Sequence, residues 1–113
     1  MNDRGSGSIL IVGIIGALAL LTSVAIPSYM ALATRQAIIG AADAAALAAA
    51  DASTGAVPGV PCDRAREVAS ANGTELRACE LDGYVATVAV SGTALGIRVT
   101  ATATAGPPGS VPD

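Results

Sequence analysis

The chain has 113 residues, 52% of them hydrophobic, yet it holds only two aromatics, both Tyr, and no Phe, Trp or His. Six cations, all Arg, face nine acids for a formal net charge of -3, so no basic patch of the kind nucleic acid requires can form. Without His there is no nucleophile-base pair of the usual kind, and no phosphate-binding glycine loop is present. The isolated acids Asp63, Glu67, Glu75, Glu80 and Asp82 follow no catalytic spacing. These absences argue against an enzyme, a cofactor, a metal site or a small-molecule substrate.

From Ile9 to Ile26 the chain carries no charge, and its only interruptions are Gly13, Gly16, Thr22 and Ser23. As a helix this stretch reaches about 27 Å, and extension to Ala33 gives about 37 Å. That is enough to cross a hydrocarbon core of roughly 30 Å, so the bilayer is the first expected partner. Gly13 and Gly16, with Ala17, Ala19 and Ala25, leave a smooth surface on which another helix can approach.

Removal as a signal peptide is the alternative, with Ser23-Val24-Ala25 as an acceptable small-x-small cleavage sequence. Against removal, helix formers continue past Pro27 through "SYMALATRQAIIGAADAAALAAADAS". Met30, Ile38, Ile39 and Leu47 recur there at loosely helical spacing, and Asp43 and Asp51 interrupt the alanines to solvate one side. The expected object is one long helix over 9–52, membrane-spanning to about residue 33, after a leader at 1–8. Pro27 removes one backbone donor and crowds the turn before it, which predicts a bend there.

Residues 53–61, "STGAVPGVP", read as a linker. A short helix is expected from Asp63 to Ala71, with Asn72-Gly73 as its stop. Three strands are expected at 75–81, 84–90 and 95–105; in the last, Leu95, Ile97, Val99, Ala101 and Ala103 alternate with Gly96, Arg98, Thr100, Thr102 and Thr104. Asp82-Gly83 and Ser91-Gly92 are the expected turns. The fold class is therefore α+β: a long bent helix and a short one packed on a small antiparallel three-stranded sheet, with a small domain at 62–105. "GPPGSVPD", 106–113, is expected to be disordered.

Cys62 and Cys79 are an even pair in the only part that can lie outside a membrane. A disulfide is the leading expectation, with two buried free thiols as the alternative. A disulfide places the C-terminal part on the extracytoplasmic side and the N-terminus in the cytoplasm, which the charges Arg4 and Arg35 leave undecided.

Several segments together resemble the TadE/TadG-like minor pilins of tight-adherence (Tad, Flp-type) systems, most of all the short actinobacterial TadE-like type. They are Asp3-Arg4-Gly5-Ser6 before the apolar run, "AADAAALAAA" at 41–50, Cys62 and Cys79 bracketing "DRAREVASANGTELRA", and "LDGYVATVAV". The resemblance implies a pilin-like fold and leader processing at Gly5-Ser6 or Gly7-Ser8. It also implies a structural role in a pilus or secretion apparatus, either in the cytoplasmic membrane as a single-pass protein or in an extracellular pilus. Partners would be other pilin-like subunits and inner-membrane platform proteins. One departure is that the family's Glu five residues after the processing site is here Leu10 or Val12, and no Glu precedes Glu67. The rival expectation is a secreted or anchored small binding module of the cell envelope.

Overall fold

The computed structural model describes residues 3–109. Its elements are two helices, α1 (Asp3–Thr54) and α2 (Pro61–Ala71), then three strands, β1 (Glu75–Asp82), β2 (Val85–Ala94) and β3 (Ile97–Ala105). The strands form one antiparallel sheet in the order β1-β2-β3, so the α+β class is as the sequence predicts. Gly106 to Gly109 belong to no helix or strand, and 110–113 lie outside the described residues.

α1 begins at Asp3 rather than near Ile9, so Gly5, Ser6, Gly7 and Ser8 are helical, and the element continues through Pro27 and Gly40. Its C-terminus extends to Thr54 because the chain closes it with a paired backbone cap. The Gly55 amide donates to the Ala52 carbonyl at 3.3 Å and the Ala56 amide to the Asp51 carbonyl at 3.0 Å. That cap needs a left-handed residue just past the helix, and Gly55 supplies it at φ 83°. α2 ends in the same way: the Gly73 amide meets the Ser70 carbonyl and the Thr74 amide the Ala69 carbonyl, with Gly73 at φ 73°. It starts at Pro61, two residues before the expected Asp63, since proline at the first helical position loses no hydrogen bond.

The chain divides into two compact units, 1–32 and 33–113. In the second, the core is built from alanine. Ala41, Ala42, Ala45, Ala46, Ala49 and Ala50 of α1 are buried with Ile38, alongside Ala65 and Ala69 of α2, Ala86, Val88 and Val90 of β2, and Ala103 of β3. The α1 residues follow the i, i+3, i+4, i+7 stripe of a helix face turned inward. Of the bulkier residues at loosely helical spacing, only Ile38 joins that face; Met30, Ile39 and Leu47 are exposed. Alanine wins the buried side because it brings backbones close, and the bulkier side chains are then excluded to the rim.

Gly92 shows how tight this packing is. A Cβ built there would lie 2.9 Å from Cγ1 and 3.0 Å from Cδ1 of Ile38. The residue is therefore not the turn glycine that Ser91-Gly92 was expected to supply; it sits inside β2 opposite Val99. Gly92→Val is expected to cost about 1–3 kcal/mol through overpacking, read as a lower urea midpoint, whereas an unchanged midpoint would show that Ile38 yields freely.

The real turns follow strand twist. Asp82 pairs with Val85 around Gly83-Tyr84, with Gly83 at φ 62°, and Ala94 pairs with Ile97 around Leu95-Gly96. Both Leu95 (φ 51°) and Gly96 (φ 77°) are left-handed, the demand of a type I′ hairpin. Leu95 therefore leaves the alternation predicted for β3 and is exposed, as is Ile97; the inward row is Val99, Ala101, Ala103 and Ala105. Since a left-handed leucine is strained by roughly 1 kcal/mol, Leu95→Asn is expected to raise the urea midpoint by about that much stability, and a fall would contradict the turn geometry.

Candidate functional site

Two surfaces separate chemically along the chain. In the first unit, every large apolar side chain from Ile9 to Ile26 is exposed, between 52% and 72% of its reference area, so none is buried among the described residues. Helix α1 is long and apolar enough there to cross a membrane. Its few polar side chains are satisfied locally: the hydroxyls of Thr22, Ser23 and Ser28 donate to the carbonyls of Leu18, Ala19 and Val24 at 2.8, 2.7 and 3.0 Å. Such back-bonds leave these hydroxyl hydrogens paired within the helix, as an apolar surrounding would require. Pro27 lies inside α1 just past this stretch, and Ser23 and Ala25 of the alternative cleavage sequence lie within it.

In the second unit, Cys62 at the start of α2 and Cys79 in β1 are joined by a disulfide, with Cα atoms 5.9 Å apart. Cys79 reaches the inward face because β1 is bulged between Leu76 and Ala78. The extra residue, Arg77, shifts the alternation so that Leu76 and Cys79, three apart, both pack on the core. Arg77 is turned to the other face, where its Nε donates to Oγ of the buried Ser91 at 2.9 Å and its Nη2 lies 3.5 Å from Glu75. The sequence reading missed this bulge, whose only signal was that spacing of three between Leu76 and Cys79.

No protein-family model, curated protein or solved structure matches this chain. Asp43 and Asp51 are exposed on α1, and α2 carries exposed ion pairs Arg64–Glu67 (3.0 Å) and Arg66–Asp63 (3.3 Å). Among the described residues, no three His, Cys, Asp or Glu side chains converge to hold a metal ion. The disulfide ties the start of α2 to β1. The bare apolar helix offers a surface for lipid or for other apolar helices.

Proposed function

We propose that this chain is a structural subunit anchored in the cytoplasmic membrane by residues 9–33, its disulfide-bonded part outside, and that it serves as a minor-pilin-like component of a Tad-type pilus or secretion apparatus. The observation that carries the reading is the contrast between an apolar helix exposed on all sides over 9–26 and a second unit with a buried core and a disulfide. A helix with that much unpartnered apolar surface is stable only in lipid or among like helices. Gly5-Ser6 or Gly7-Ser8 would be the processing position, and helix packing rather than chemistry the mechanism. The absence of a Glu after that position, where Leu10 or Val12 stands, favours a minor or platform-associated role over the body of a filament.

The test is photo-cross-linking in the native host from a photoreactive residue at Ala17. Adducts with other single-pass, pilin-like subunits or with platform proteins are expected; adducts with lipid alone would sink the assembly role. The second reading, a secreted binding module cut after Ala25, draws on one observation: the packed unit starts at Ala33, so a chain beginning at Ile26 would keep all of it.

A further inference from the structure

The sheet has two edges, and they are built differently. β1 carries Glu75, Arg77, Glu80 and Asp82 within eight residues, is bulged at Arg77, and is tied to α2 by the disulfide. Charges and bulges of that sort blunt an edge against pairing with another strand. β3 lacks the bulge and the disulfide and nearly all of the charge. Its nine residues carry one charge, Arg98, no proline, and an unbroken register with β2. Among the described residues, its backbone makes no hydrogen bond outside the β2 ladder.

The order of residues in β3 is nearly the same read in either direction from Ala101: Thr100 and Thr102 flank it on the outer face, Val99 and Ala103 beyond them on the core side. We propose that β3 pairs antiparallel with β3 of a second copy of this chain, Ala101 opposite Ala101, so that the two sheets become one. Residues directly opposite in an antiparallel pair share a face. Thr100 then meets Thr102 of the second copy, and Val99 meets Ala103.

Both pairings already occur inside the sheet. Val88 opposes Ala103, Val90 opposes Ala101, and the Thr87 and Thr104 hydroxyls lie 3.1 Å apart. The Val–Ala and Thr–Thr contacts that the pairing needs are therefore ones this sheet already makes. Charge fits as well: Arg98 faces the neutral Thr104 of the second copy. The two guanidinium groups are six residues apart, about 20 Å at roughly 3.4 Å per residue, well beyond the screening length of about 8 Å. Ile97, 69% exposed, gains Ala105 as its opposite neighbour. The pairing does not rest on the pilin reading, since it uses only the sheet.

The experiment mixes full-length Thr100→Cys and Thr102→Cys chains in detergent micelles and oxidises them mildly, with the native Cys62–Cys79 bond checked by mass. Threonines 100 and 102 are exposed, so these variants keep the fold. The proposal predicts a 100–102 cross-linked heterodimer exceeding the two homodimers combined. Thr87→Cys mixed with Thr102→Cys, on the same face but away from the edge, should cross-link only at background. A heterodimer at or below the homodimer total overturns the proposed register. No cross-link at all overturns the pairing and leaves the edge to a strand from a different protein.

Discussion

Replacing Cys62 and Cys79 together by alanine is expected to remove about 3 kcal/mol of stability, the entropy of closing a loop of this size in the unfolded chain. The bond spans 17 positions of sequence and joins the first turn of α2 to β1. The loss should be large against the whole, because among the described residues the buried core has three side chains bigger than alanine, Ile38, Val88 and Val90, with Val68, Leu76, Cys79 and Val99 only partly buried around it. Each buried alanine withdraws little apolar area from water, so hydrophobic burial leaves a small margin over chain entropy. Urea unfolding of the full chain in micelles, followed by circular dichroism, reads the effect. Reduction of the native protein should reproduce the double variant's midpoint. A loss under about 1 kcal/mol would mean that the unfolded chain is already compact around this loop.

The second large effect separates the two surfaces of α1. Leu18 and Leu47 are equally exposed, at 58% and 56%, yet the proposed anchoring puts one in lipid and the other in water. Leu18→Arg near the middle of the apolar stretch is expected to cost about 2.5–3.5 kcal/mol of insertion, on the order of a hundredfold in the membrane-inserted fraction. Leu47→Arg should leave insertion unchanged. Alkaline extraction of membranes carrying each variant measures this directly. Equal retention of both would show that the segment around Leu18 is not in the hydrocarbon.

Much of this architecture is legible from periodicity. The alternation predicted from Leu95 to Thr104 holds from Val99 onward, the turn at Asp82-Gly83 places the first hairpin within a residue, and the cysteine pair anticipates the disulfide. What eludes the sequence is set by tertiary packing. Gly92 has the look of a turn glycine, but its lack of a side chain serves Ile38; the second turn falls instead on Leu95, whose left-handed backbone no propensity would assign. Likewise the inner face of α1 is hidden because alanine carries almost no hydrophobic contrast, and the eye goes to Ile39 and Leu47, which lie outside. The apolar segment is the reverse case: its run from Ile9 to Ile26 is unmistakable in the sequence, and the structure leaves it exposed.

The most direct test of the central claim, that the apolar helix is kept as an anchor beside an oxidised outer part, is the intact mass of the protein from its native host. It is taken on membranes washed at alkaline pH, with thiol alkylation before and after reduction. The account predicts a membrane-bound species that retains residues 9–26, begins at or before Ser8, and takes up alkylating agent at Cys62 and Cys79 only after reduction. A soluble species beginning at Ile26, or free thiols in the unreduced protein, would contradict it.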